Sequence, residues 1–398
     1  MNYHGHKFSG NILTHGSLFV MLIIIACSTG NEEQRSLQKN EATLAGSVFH
    51  RPVQPESYVC YRAEIPPLID GLINEEEWNK AEWTNPFVDI TGNIENQPAQ
   101  QTRVKMLWDN NNFYFAAELE EKYVWASLRQ RDTVIYYDND FEIFIDPDGD
   151  THLYYELEVN AFGTVWDLLM AKPYRDGGPA INGWNINGLN VKVKVDGTIN
   201  NPESEDRNWT VEIAMPWQTL KECAPGRRKP RDGEQWRVNF SRVDWEMDVI
   251  DGNYTKRKDP DTGEPLPPLN RAWSPQERIN MHAPETWGYV QFSDHLAGER
   301  KVPFVPEKDE EIKWVLRKLY HLQRSHFHKQ GRYAASVEQL GLETEDFKGY
   351  TALPQFSTTP SLYQITMPGF SKGITWQINQ EGRVWKSIVS QNKKPERL

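Results

Sequence analysis

The sequence predicts an all-β fold: a two-sheet antiparallel β-sandwich of jelly-roll type, followed by a small α+β C-terminal region. Three observations lead there. Between about Tyr58 and Ser293, short runs of β-branched and aromatic residues recur between turn signals, the pattern of a sandwich or barrel. Helix signals in that span are few and brief. After Ser293 the apolar spacing becomes helical, with Ile312, Val315, Leu316, Leu319 and Leu322 along one face.

The elements follow in order. Asn74-Glu75-Glu76-Glu77-Trp78 reads as a helix start, Asn74 capping and the acids filling the first turn. Arg103–Trp108 and Phe113–Leu119 are strands joined by the turn Asp109-Asn110-Asn111-Asn112. Residues Val191–Val195 alternate with lysines and end at Asp196-Gly197, while Trp209–Ala214 stops at Pro216, where one helical turn reaches Leu220. Trp236–Arg242 follows the turn Asp232-Gly233. Trp78, Trp108, Trp209 and Trp236 fall on core-side positions. Residues 294–306, punctuated by Pro303 and Pro306, read as a linker. Residues 307–398 then hold a helix to about Lys329, stopped by Gly331, a short helical piece at Ser336–Leu340, and strands at Tyr363–Met367, Gly373–Ile378 and Arg383–Ile388.

The most informative stretch is a hairpin. Phe141, Ile143 and Ile145 alternate with Asp140, Glu142 and Phe144; Pro147-Asp148-Gly149-Asp150 turns the chain; Leu157 and Val159 return on the core side. Glu142 then shares the opposite face with Tyr154, Glu156, Glu158 and Asn160. Carboxylates accept hydrogen bonds from sugar hydroxyls and aromatic rings pack on sugar C–H faces, so an open face of this kind suits a saccharide. A solvated strand face has the same pattern.

The 398 residues carry a net charge of −12, which argues against a nucleic-acid partner. Fifteen Trp and sixteen Tyr are consistent with a carbohydrate-contacting surface or with a large sandwich core. Leu18–Ala26 is too short for a membrane span and reads as a leader core. Residues 1–27 are therefore read as a lipoprotein signal, because Ile24-Ile25-Ala26-Cys27 resembles a bacterial lipobox with Cys27 as the lipidated residue. Residues 28–57 read as a polar tether, giving an exported protein lipid-anchored to the bacterial envelope, at the outer membrane. Cys60 and Cys223 either pair or stay free. Asp146, Asp148 and Asp150 are a plain turn or an oxygen cluster with room for a structural calcium, though Leu157 stands where an EF-hand needs Glu. No other cofactor is expected.

Taken together, Ile69–Trp78, Val104–Trp108, Phe113–Ala117, Asp138–Asp146, Asn160–Thr164, Trp209–Trp217, Trp236–Asp244, Trp273-Ser274-Pro275 and Asn280–Gly288 resemble the family 9 carbohydrate-binding modules, a branch of the DOMON-like β-sandwiches. The resemblance covers about residues 58–293. It implies non-catalytic binding of a poly- or oligosaccharide between two aromatic rings, with polar groups from adjacent strands fixing the hydroxyls. By motif position Glu142 matches the sugar-binding Glu, Asn239 lies in another polar wall, and Tyr136 stands where one clamp ring is expected. The second clamp position falls near Met281 and a family Arg falls at Glu158; Trp184 or Trp273 supplies the missing ring from a loop. With Arg242 and His282, the candidate set is Tyr136, Glu142, Glu158, Trp184, Asn239, Arg242, Trp273 and His282. Two rivals use the same residues. Glu142 with Glu156 or Glu158 is a conceivable glycosidase pair, and Met170, Met281, His152 or His282 are potential axial ligands of a haem-binding DOMON carrier.

Overall fold

The computed structural model describes Phe49 and residues 53–388 except positions 94, 96 and 97. The expected leader, Cys27 and most of the tether lie outside the described residues. The strands of the N-terminal part are β1 Ser57–Arg62, β2 Val88–Asp89, β3 Thr102–Trp108, β4 Asn112–Glu120, β5 Asp140–Asp146, β6 Tyr154–Asn160, β7 Val165–Met170, β8 Ala180–Ile181, β9 Asn190–Asp196, β10 Asn208–Pro216, β11 Gln235–Asp244, β12 Met247–Ile250, β13 Asn253–Lys256, β14 Leu269–Ala272 and β15 Gly288–Leu296.

One layer has the order β8-β7-β6-β5-β11-β15 and the other β3-β4-β10-β9. Strand β1 belongs to both. Ser57–Cys60 pair with Tyr289–Phe292 of β15, and after an irregularity between Cys60 and Arg62 the strand moves over to Leu107 and Trp108 of β3. Both pairings are parallel, the exceptions in an otherwise antiparallel sandwich of the expected kind. Turn chemistry fixes direction only for strands joined by a hairpin, and β1 is joined by none to either neighbour.

Alternation puts Phe141, Ile143, Ile145, Leu157 and Val159 in the core with Trp236, Val238 and Phe240 of β11, and the second layer answers with Met106, Phe113, Phe115 and Val211. Phe115 meets Phe240 edge-on at 5.9 Å between ring centroids. Trp108, Trp209 and Trp236 are in this core; Trp78 is also fully buried, but on the outer side of the second layer with Tyr114 and Ile69. Its indole N–H donates to Glu212 at 2.7 Å. Helix α1, Glu76–Lys80, starts after Glu75 rather than after Asn74, and no side chain caps it. Burial of Trp78 fixes this short helix, so propensity signals placed its start imperfectly. Helix α2 is the expected single turn, Trp217–Leu220.

The C-terminal region is a long helix, α3 Glu310–Gln330, over an antiparallel sheet ordered β16 Gln355–Thr358, β17 Tyr363–Pro368, β18 Ile374–Asn379 and β19 Val384–Ile388. Gly331 closes the helix at φ +67°, its N–H donating to the Phe327 carbonyl at 2.8 Å. Strand β16 went unseen because it is short and polar at alternate positions. Asp309, just ahead of α3, accepts from Phe370 N–H at 2.7 Å and from the Trp376 indole at 2.9 Å, joining helix to sheet. The preceding linker is pinned to the sandwich: Gln235 donates to the Val305 carbonyl at 2.7 Å and Gln291 to that of Pro303 at 3.0 Å. Cys60 and Cys223 are both free thiols.

Candidate functional site

The hairpin forms with the expected alternation, and three ladders set one row of side chains across the non-core face. Ser241 of β11 stands opposite Glu142 of β5, Glu142 opposite Glu158 of β6, and Glu158 opposite Trp166 of β7. The next row along contains Phe144 and Glu156. This face is not the open concavity the sequence suggested. Segments carrying Ile90, Ile135, Met281 and Trp287 pack with Phe144, Tyr154, Trp166, Leu168 and Met170 into a second apolar cluster over it. Asp140, Glu142, Glu156 and Glu158 retain only 0%, 5%, 4% and 2% of their surface.

The roof is tied down through Asp138. Its carboxylate accepts from the N–H groups of Ser127 and Leu128, both at 2.8 Å, and from the Asn160 amide at 2.9 Å. One turn along, the Tyr136 N–H donates to Glu158 Oε2 at 3.0 Å. The rings of Tyr136, Tyr137 and Tyr174 are 37%, 52% and 47% exposed and form the rim. His282 sits beneath them, Nδ1 2.8 Å from the Tyr154 hydroxyl, with its ring edge-on to Tyr174 at 4.5 Å.

Electrostatically the floor is acidic and buried. Burial pushes Glu142 up to about 7, with Ser241 opposing the rise. Burial, then the charge of Glu142, pushes Asp140, Glu156 and Glu158 well above the usual carboxylate range. Burial and then Glu156 and Glu158 push the Tyr174 phenol up to about 12. Burial, then Arg175, holds the His282 imidazole down at about 3, so it is neutral. Asp140 Oδ2, Glu156 Oε2 and Trp166 Nε1 are buried without a hydrogen-bond partner. Buried polar atoms in folded proteins are nearly always satisfied, by protein, water or ligand, so orphans gathered around one row mark it out.

Residues 69–262 match the family described as Carbohydrate family 9 binding domain-like. Among solved structures, a proposed carbohydrate-binding protein from Bacteroides uniformis is similar at 17% identity and TM-score 0.43, covering 60% of this chain and 99% of that one. Two structures of a family 9 carbohydrate-binding module from Caldicellulosiruptor kristjanssonii, in complex with cellotriose and with glucose, are similar at 17% identity and TM-score 0.38 each. They cover 63% and 62% of this chain and the whole of theirs. No curated protein matches the sequence.

On this face, Tyr136, Glu142, Glu158 and His282 come together. Four other expected residues are committed to other partners, Asn239 while standing on this same face opposite Phe144. Asn239 is fully buried and spends its amide locally, donating to the Ser274 carbonyl and accepting from the Ser274 N–H, both at 2.9 Å. Arg242 has the parity of Phe240, so it enters the end of the core, where it pairs with Glu121 at 3.3 Å and Asp244 at 2.9 Å instead of meeting Glu142. Trp273 is a core side chain, 1% exposed and packed on Phe240 at 5.6 Å. Trp184 stacks on Tyr155 at 5.0 Å and donates to Glu222 at 3.2 Å, on the core side of the hairpin. Loop position alone did not reveal that the sheet's own packing needs these rings. Of the remaining named residues, Met170 and Met281 pack in the roof cluster, and Met281 Sδ accepts from Gln276 at 2.8 Å.

Sequence reasoning missed Tyr137 and Tyr174 at the rim and Trp166 in the floor. Alternation marks Trp166, two residues from Leu168 and opposite in parity to Val165; the other two lie on loops without a period. A cleft of about 480 Å³ also escaped notice, lined by Tyr123, Trp125, Trp245 and Tyr254 at the far end of β5 and β11. Trp245 links it to the rim, donating from its indole to the Tyr136 carbonyl at 2.8 Å.

Proposed function

We propose that this chain binds saccharide without cleaving it, at the face bordered by Tyr136, Tyr137 and Tyr174. The observation that carries the reading is the row Ser241–Glu142–Glu158–Trp166 beneath those exposed rings, with unsatisfied donor and acceptor atoms beside it. A pyranose offers what such a place lacks: hydroxyls that both donate and accept, and an apolar face for a phenol ring. The family 9-like match over residues 69–262 supports the same class of ligand. Oligosaccharide capture, in the service of polysaccharide breakdown by other proteins, follows as the role.

The carboxylates also argue for binding over hydrolysis. Glycosidic cleavage takes two carboxyls flanking the bond from opposite sides. Here Glu142 and Glu158 are cross-strand neighbours in one floor, so they approach any ligand from the same side. For location, the Ile24-Ile25-Ala26-Cys27 sequence supports an envelope protein anchored by lipid at Cys27. Replacing Cys27 by Ala should release the protein from membranes to the soluble fraction.

The central test is affinity electrophoresis and calorimetry of the purified chain against soluble glucans, xylans and their oligosaccharides. Retention by at least one glycan, lost in Glu142→Gln with no reducing sugar released, is the expected result. A chain that retains none of them, or that releases reducing ends in a Glu142-dependent way, overturns the reading.

A further inference from the structure

We propose that Asp140, Glu142 and Glu158 form a divalent-cation site, suited to calcium, in the floor of this face. Each contributes a carboxylate oxygen, and the three lie within 4.8 Å of one another. Calcium holds oxygen ligands at about 2.4 Å, so two ligands of one ion are at most about 4.8 Å apart and a single ion can touch all three. The donor set is hard oxygen throughout, and the Ser241 hydroxyl stands opposite Glu142 on the neighbouring strand.

A second observation is independent of the clustering. Asp140 is fully buried, and its Oδ2 has no hydrogen-bond donor; Glu156 Oε2, in the adjacent row, is in the same position. A carboxylate oxygen removed from water and given no N–H is neutralised either by a proton or by a cation, and three such acids within reach of one ion favour the cation. Among the described residues no Lys or Arg makes an ion pair with these acids, and Arg242 is committed to Glu121 and Asp244.

Two other acidic groups of similar spacing show the contrast. In the Asp146-Asp148-Asp150 turn, Asp146 accepts from the N–H groups of Gly149 at 3.0 Å and Thr151 at 2.8 Å, and Asp150 pairs with Arg383 at 2.9 Å. In the Asp70-Glu75-Glu212 group, Glu212 accepts from the N–H groups of Asp70 and Gly71 and from the Trp78 indole. In each of these groups one acid is held by two or more backbone N–H groups, although Glu75 Oε2 in the second lacks a donor. The floor acids have two backbone donors, the Tyr136 N–H on Glu158 and the Val243 N–H on Asp140 at 3.3 Å, with the Ser241 hydroxyl beside Glu142.

The site shares Glu142 with the saccharide reading but does not rest on it, so the test uses calcium alone. The full chain, stripped with chelator, is titrated calorimetrically with calcium chloride. Binding is expected in the unaltered protein, weakened about tenfold or more by Asp140→Asn and by Glu158→Gln, and unchanged by Asp148→Asn. Absence of binding at millimolar calcium overturns the proposal, as does binding that survives Asp140→Asn and Glu158→Gln yet vanishes in Asp148→Asn. Should the floor variants fail to fold, terbium luminescence decides in the otherwise unaltered chain. Trp166 faces Glu158, so calcium-displaceable, tryptophan-sensitised emission should dim strongly in Trp166→Phe, and undiminished emission rejects the site.

Discussion

Glu142 lies directly opposite Glu158 across the β5–β6 ladder, two acids of like charge on the same face, both removed from water. Like charges placed opposite one another destabilise a sheet, and burial adds to the cost. In calcium-free protein, Glu142→Gln should therefore raise stability while abolishing saccharide retention. A gain of about 1 kcal/mol, or ~2–4 °C in Tm for a domain of this size, is expected by scanning calorimetry.

The rim rings should behave differently. Tyr136→Ala and Tyr174→Ala remove exposed aromatic surface, so each should weaken oligosaccharide binding by about two- to tenfold, from ring contacts of ~0.5–1.5 kcal/mol, with little effect on Tm. Calorimetric titration with the best glycan checks this, and unchanged affinity in both variants would place the ligand elsewhere.

Arg242 should be needed for folding and not for contact with the ligand. It is 1% exposed and balances buried Glu121 at the end of the core, so Arg242→Ala leaves that acid unpaired at a cost of about 3–5 kcal/mol. Chemical denaturation should show the loss. Molecules that remain folded should still be retained by glycan.

Acid should loosen the C-terminal region. Glu310 of α3 pairs with Arg237 of β11 at 2.9 Å and accepts from the Tyr289 hydroxyl at 2.8 Å. Burial alone would raise its carboxyl, but Lys313 and Arg237 outweigh burial and hold it below the usual range. A folded-state value below the unfolded one means the group stabilises fully above the ordinary carboxylate range, and this contribution is lost as pH falls toward the folded value. Glu285, held down by Arg175 against its own burial, acts in the same direction. Proteolytic cleavage ahead of α3 should therefore accelerate between about pH 5 and pH 3, and Glu310→Gln should show that rate already at neutral pH.

Period-two alternation made the hairpin legible down to the face each side chain takes, though not its cross-strand register, and helical spacing located α3 to within two or three residues. Alternation also put Glu142, Glu156 and Glu158 on one face correctly. It cannot say whether such a face meets water, because the roof comes from Ile135 and Met281, far away in the chain. The same limit misplaced Arg242. Its charge suggested the polar face, whereas strand parity put it in the core, and only the distant Glu121 makes that tolerable. Trp273 looked like a loop ring because its packing partner, Phe240, belongs to another strand.

Strand β1 has a mechanical consequence. Its residues run parallel to both β15 and β3, so a pull on the chain ahead of Ser57, directed along the strand, loads all of its ladder hydrogen bonds in shear instead of peeling them one after another. The seam that joins the layers would thus resist traction arriving from the N-terminal side, while the acid-lined face, three and four strands away in the sheet order, stays unstrained.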